Sequence, residues 1–120
     1  MNVLITGGAG FIGSHLAEYL VLKYKIKKVI VIDNVKDGSI KNLKNVIDSK
    51  KFHFYKGDIR NFDKIQKLFK KIDVVYHLAA LSDVVPSIEK PIDYLQSNIM
   101  GTVNVLESMR KHKVKKIIYA

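Results

Sequence analysis

The sequence predicts an α/β fold: a doubly wound, mostly parallel sheet of five strands, ordered 3-2-1-4-5, with helices on both faces. Strand and helix signals alternate along the whole chain, the pattern of successive βαβ units. Val29-Ile30-Val31-Ile32 is an uninterrupted aliphatic run, as a strand covered on both faces requires. No Asn-Gly or Asp-Gly sits between two strands at hairpin spacing, since Asp37-Gly38 follows a strand but precedes a helix.

In chain order, Val3-Leu4-Ile5-Thr6 is a short β-branched run ending in glycines and reads as the first strand. From Phe11 to about Tyr24 the apolar residues Ile12, Leu16, Leu20 and Tyr24 recur every four, which predicts an amphipathic helix. The second strand, at 29–32, is followed by a loop with Asp37-Gly38 and a weak helix near 40–48. Phe52-His53-Phe54-Tyr55 is the third strand. Residues 61–71 place Phe62, Ile65, Leu68 and Phe69 on one helical face and Lys64, Lys67 and Lys71 on the other. Val74-Val75-Tyr76-His77 is the fourth strand. A loop containing Pro86 and Pro91 then leads to a long helix, roughly 91–112, whose expected buried stripe is Tyr94, Leu95, Ile99, Val103 and Leu106. Lys116-Ile117-Ile118-Tyr119-Ala120 begins a fifth strand.

The 120 residues fit a single domain, 1–120. No apolar run approaches the roughly 20 residues of a membrane span, and no signal peptide precedes the first strand. The absence of cysteine removes disulfide and thiol chemistry and suits the cytoplasm. Four scattered histidines, at 15, 53, 77 and 112, suggest no metal site. The net charge of +10 raises a nucleic-acid reading, but Arg60 and Arg110 are the only arginines. The lysines are dispersed in pairs at predicted element edges, which favours a solvated surface; a basic nucleic-acid-binding domain is the lesser alternative.

The chemistry-bearing signal is Thr6-Gly7-Gly8-Ala9-Gly10-Phe11-Ile12-Gly13, read as Gly8-x-Gly10-x-x-Gly13 or as Gly7-x-x-Gly10-x-x-Gly13. One glycine permits the tight turn out of the strand, another lets backbone approach a pyrophosphate, and Gly13 lets the helix pack on the sheet. The helix opening near Phe11 and Ile12 points free N–H groups and a positive dipole end at the phosphates. A predicted strand before and a predicted helix after supply the context the motif needs, that of a Rossmann-type dinucleotide site. Asp33 ends the second strand 20 residues beyond Gly13, where a carboxylate can accept bonds from the adenosine ribose hydroxyls. It would also repel a 2′-phosphate, so the expected cofactor is NAD rather than NADP. Lys36 is the only nearby residue that could oppose it.

Taken together, TGGAGFIGSH, Asp33-Asn34, Gly57-Asp58-Ile59-Arg60, His77-Leu78-Ala79-Ala80 and Ser97-Asn98-x-x-Gly101-Thr102 resemble the NAD-dependent epimerase/dehydratase family, the extended short-chain dehydrogenase/reductases that act on nucleotide sugars. The resemblance covers essentially the whole chain. It implies that Asp58 accepts from the adenine amino group while Ile59 packs on the ring, although Asp58 could equally cap the helix that follows. It implies that Asn34, Asp37 and Gly38 line the ribose side, and that Leu78, Ala79 and Ala80 lie beneath the centre of the cofactor. Ser82 falls where some members carry a lysine near the phosphates, and Asn98 would hold backbone geometry beside the nicotinamide half. The Ser87–Pro91 stretch would border a sugar pocket.

The family's catalytic Ser or Thr and its Tyr-x-x-x-Lys pair are not found at the expected place. Tyr19-x-x-x-Lys23 and Tyr24-x-x-x-Lys28 fit the spacing, but both belong to the first helix. The expectation is therefore a cofactor half, truncated before the catalytic and substrate-binding parts and inactive alone. The complete protein would act on a nucleotide sugar, 4-epimerisation being the first reading, with homodimerisation through the long helix. The alternative is a stand-alone NAD-binding or sensing module.

Overall fold

A computed structural model describes residues 1–24 and 26–120, apart from the side chain of Val84. Five strands, β1 (Asn2–Thr6), β2 (Lys28–Asp33), β3 (Phe52–Lys56), β4 (Val74–His77) and β5 (Lys116–Tyr119), form one parallel sheet in the order β3-β2-β1-β4-β5. This is the expected order. The central strand β1 is paired on both sides, Leu4 facing Ile30 in β2 and Val75 in β4.

Alternation along the strands feeds two cores. Val3, Ile5, Val29 and Val31 pack on one face with Ala17, Leu20 and Val21 of α1 (Phe11–Leu22). Leu4, Ile30, Ile32 and Val75 pack on the other with Ile65 and Phe69, and with Val105 and Met109 of the last helix. Both faces of β1 and β2 are therefore dry, which is why those strands read as continuous aliphatic runs. The segment over 61–71 is a short helix, α2 (Phe62–Ile65), that tightens into a 3-10 turn over Gln66–Phe69. Near 40–48 only a 3-10 turn forms, Ile40–Leu43, with Leu43 buried at its end and Val46 buried beyond it.

Three expectations need correction. The buried face of α1 is Gly13, Ser14, Ala17, Leu20 and Val21, whereas Ile12 and Tyr24 are exposed and Leu16 is half-buried. Small residues win because the first turn lies directly on the glycine loop: a β-carbon on Gly13 would collide with the Gly7 carbonyl oxygen. Next, Pro86 does not lie in a loop. It sits in the first turn of α3 (Val84–Glu89), where its missing N–H breaks no helical bond.

The third correction concerns the long helix. It runs as α4 (Pro91–Tyr94), a π-helical segment over Leu95–Met100, and α5 (Gly101–Lys111). Its buried residues are Gly101, Val105, Ser108 and Met109; Leu95, Ile99, Val103 and Leu106 are exposed and Tyr94 is half-buried. Close approach again selects the face, since a β-carbon on Gly101 would stand 2.5 Å from Ile59 Cδ1. The apolar stripe is real, but it points away from this sheet. Among the described residues no helix is long and apolar enough to cross a membrane.

Candidate functional site

In a doubly wound sheet the order reverses where neighbouring strands leave in opposite directions, and the loops there part to leave a crevice at the carboxyl ends. Here that point lies between β1 and β4, and a cleft of about 270 Å³ opens over it. Gly7, Gly10 and Phe11 form one wall after β1. Asp33, Asn34, Asp37 and Gly38 come from the end of β2, Asp58 and Ile59 from beyond β3, and Leu78, Ala79 and Ala80 from beyond β4. These twelve expected residues meet in one concavity.

Four others do not line it. Gly13 lies beneath the turn, as described above, and the Ile12 side chain is exposed on the outer face of α1. Ser82 is exposed past the cleft rim. Asn98, in the π-helical segment, stands behind the wall: its Oδ1 accepts from the Leu81 N–H at 2.8 Å and its Nδ2 donates to the Leu81 carbonyl at 2.9 Å. It closes the loop after β4 as a neighbouring strand would. Four residues not singled out also line the cleft: Ile32, Gly57, Leu81 and Ser97. Gly57 and Ser97 stand inside recognisable motifs, whereas Ile32 and Leu81 are apolar residues whose sequence context distinguishes them from core in no way.

Asp33 is held by backbone on both oxygens. Oδ2 accepts from the Ala9 N–H at 2.9 Å and Oδ1 from the Val35 N–H at 2.8 Å. A carboxylate has about four acceptor sites, so two remain for a diol. Val35 pays a local penalty to make this turn: its φ of 53° is left-handed, which costs a β-branched residue about 1–2 kcal/mol. Its side chain packs on the core below, which keeps the turn closed.

Asp58 is not a helix cap, since Asn61 caps α2 by accepting from the Lys64 N–H at 3.3 Å. Its carboxylate is gripped by Arg60, with Nη2 at 2.7 Å and Nε at 3.0 Å from Oδ2. This Arg60 bond, opposed by partial burial and helped by Lys36, holds the Asp58 carboxyl below the usual carboxylate range. An acceptor that remains ionised suits the recognition of an amino group.

His77 ties the two sides of the crevice together. Thr102 donates its hydroxyl proton to the Asn98 carbonyl at 2.6 Å, so its oxygen must accept from His77 Nε2 at 2.8 Å. That leaves Nδ1 as an acceptor for the Thr6 hydroxyl at 2.6 Å, and the Thr6 oxygen in turn takes the Leu78 and Ala79 N–H groups, both at 3.2 Å. Every proton in this buried chain is placed, and the imidazole is neutral with Nε2 protonated. Burial pushes its pKa below the ordinary value.

A family model described as GDP-mannose 4,6 dehydratase matches residues 4–120. The chain belongs to that family, among the NAD-dependent epimerases and dehydratases. It is 47% identical over 121 residues to a dTDP-D-glucose 4,6-dehydratase of Dictyostelium discoideum, covering 98% of this chain and 28% of the relative. To a UDP-glucose 4-epimerase of Yersinia enterocolitica it is 43% identical over 124 residues, covering all of this chain and 36% of the relative. The dTDP-glucose 4,6-dehydratase of Streptomyces venezuelae, solved with NAD bound, superposes with a TM-score of 0.91 at 32% identity, over 98% of this chain and 38% of that one. The chain thus spans about a third of the length of these family members.

Proposed function

We propose that residues 1–120 form the NAD-binding domain of a nucleotide-sugar epimerase or dehydratase. The observation that carries the reading is Asp33, fixed by two backbone bonds at the end of β2 and facing the same cleft as the glycine turn. Its free acceptor positions would take the 2′- and 3′-hydroxyls of the adenosine ribose, while its charge would repel a 2′-phosphate. Asp58 would accept from the adenine amino group, with Ile59 against the ring. The turn from Gly7 to Phe11 and the first N–H groups of α1 would hold the pyrophosphate. Leu78 to Ala80 would support the centre of the dinucleotide, and Asn98 would keep that loop in place. Ile12 and Ser82 would contribute backbone alone. The residues present fit the cofactor: the cradle is glycine where a β-carbon would strike backbone, and the polar groups are acceptors where the ligand has donors. When bound, NAD would supply hydride transfer to and from a sugar hydroxyl. This chain's own part is to bind and orient the cofactor.

For the whole protein, 4-epimerisation is the first reading. It is the activity in the name of the Yersinia relative; 4,6-dehydration, named for the Dictyostelium relative and in the family model, is the second. We place the protein in the cytoplasm, in keeping with its lack of cysteine. The dispersed lysines are read as solvated surface, without nucleic acid or membrane as partner. The test is thermal: NADH is expected to raise the melting temperature clearly more than NADPH at equal concentration. Equal shifts would remove Asp33 from its role.

We further propose a homodimer formed through the long helix. Leu95, Ile99, Val103 and Leu106, spaced four, four and three residues apart, are 42–55% exposed along one stripe. Sedimentation should show self-association that Ile99→Asp weakens at least about tenfold, as expected when a charge enters a desolvated apolar contact. Unchanged association would place the interface elsewhere.

A further inference from the structure

The glycine turn is gripped from outside the cleft as well as from within. Ala9, fully buried at its centre, donates its N–H to Asp33 Oδ2, and its carbonyl accepts two bonds, from the Ser39 N–H at 3.0 Å and from Asn42 Nδ2 at 2.9 Å. A carbonyl oxygen only accepts, so the Asn42 atom facing it is the amide nitrogen, and both lone pairs are then used. We propose that Asn42 is a positioning residue for the phosphate-binding turn. The inference rests on reading the cleft as a dinucleotide site.

The Ala9 carbonyl and the Gly10 nitrogen belong to one planar peptide, so fixing the first orients the second. Gly10 is the N-cap of α1, and no side chain caps the start of that helix. The direction of the first N–H groups, the ones a pyrophosphate would meet, thus follows a plane that Asn42 and Ser39 hold at its carbonyl and that the Gly10 N–H holds at the other edge, donating to the Gly7 carbonyl at 3.2 Å. Without Asn42 the carbonyl edge of this peptide would hang on the Ser39 bond alone, with only the 3.2 Å bond from the Gly10 N–H to the Gly7 carbonyl on the opposite edge.

Asn42 can act as an anchor because its own base is rigid. The 3-10 turn that carries it is pinned by Leu43 and Val46, each 1% exposed, and is capped by Ser39, whose Oγ accepts from the Lys41 N–H at 3.2 Å. Gly38 brings this segment against the turn so tightly that a β-carbon would lie 2.7 Å from the Ala9 carbonyl carbon and oxygen. Asp33 takes the N–H of the same residue, which belongs to the preceding peptide plane. Ribose recognition and phosphate recognition are therefore joined through one residue, with Asn42 opposite the carboxylate.

The experiment compares wild type, Asn42→Ala and Asn42→Asp, each first checked for folding by its amide NMR spectrum. Calorimetry then measures binding of NADH, ADP and AMP. Asn42→Ala is expected to weaken NADH and ADP about tenfold, the worth of one ordinary hydrogen bond, and AMP less than about twofold. Asn42→Asp, which turns an acceptor toward the Ala9 carbonyl, should weaken the diphosphate ligands further. The same spectra should show the Gly10 and Phe11 amide signals displaced in both variants before ligand is added. Equal losses for all three ligands, or no loss, overturn the role of Asn42 while leaving the dinucleotide reading intact. Wild type binding neither NADH nor ADP overturns both. If Asn42→Ala does not fold, Asn42→Asp decides by the same ligand comparison, and failure of both variants to fold makes Asn42 a folding residue and overturns the proposal.

Discussion

Replacing Gly7 by alanine is expected to lower the melting temperature by at least about 10 °C and to abolish measurable NADH binding. Two separate costs act at this position. Its φ of 74° is left-handed, which an alanine adopts at a cost of about 1–2 kcal/mol. Its β-carbon would also stand 2.7 Å from the Ala79 nitrogen and 2.9 Å from both the Ala79 Cα and the Leu78 carbonyl carbon. Those atoms are backbone and cannot rotate away, so overpacking adds about 1–3 kcal/mol. Relief requires β1 and the loop after β4 to separate, and that junction is the floor of the cleft. Gly57 is the control: its nearest neighbours are Tyr55 ring atoms at 3.1 Å, which can shift, and its φ is not left-handed. Gly57→Ala should change the melting temperature by only a few degrees. If the two variants melt alike, the tight junction at Gly7 does not set stability.

The second large effect is expected in the pH dependence, and its source is His77. Burial lowers its pKa below the 6.5 of an exposed imidazole. A proton on Nδ1 would face the Thr6 oxygen, which already accepts from the Leu78 and Ala79 N–H groups, and would leave the Thr6 hydroxyl without an acceptor. The unfolded chain therefore binds the proton more readily than the folded one. Stability is complete above about pH 6.5 and falls as the pH drops through that value toward the folded pKa, by at most about 1.4 kcal/mol per unit. Thermal melts should be flat from pH 8 to 7 and decline between about 6.5 and 5, above the range in which the lowered Asp58 carboxyl titrates. His77→Gln should melt lower at every pH, since it strands part of the Thr6–His77–Thr102 chain at about 1–3 kcal/mol. Its curve should be the flatter one over that window. Parallel curves for the two proteins would mean that another group controls the decline.

The architecture was legible because both of its signals are local. The aliphatic run at 29–32 reads as a strand buried on both faces, the short β-branched runs at 3–6 and 74–77 read as strands beside it, and a glycine-rich turn between strand and helix has few other uses. The composition of the cleft followed from the same motifs, because strand ends and the first residues of the loops beyond them are fixed by the sheet. Helix orientation was less legible. Periodicity finds an apolar stripe but does not say what will cover it. On the long helix the stripe of Leu95, Ile99, Val103 and Leu106 faces outward, because Gly101 and Ser108 allow a closer approach to Ile59 and the sheet than leucine would.

By itself, then, the sequence determined the alternating α/β order, the glycine turn and the carboxylate at position 33, which depend on residues close together in the chain, and the strand order that such an alternation favours. Only the tertiary structure decided which atoms those residues spend on one another. Asp33 reaches Ala9 across 24 residues, Asn42 reaches it across 33, and His77 joins Thr6 and Thr102 across 71 and 25. No spacing rule encodes such pairs, since each depends on two loops being brought to the same strand end by packing elsewhere. The glycine turn is thus announced by its own residues, but its shape is set by partners that the chain places far away.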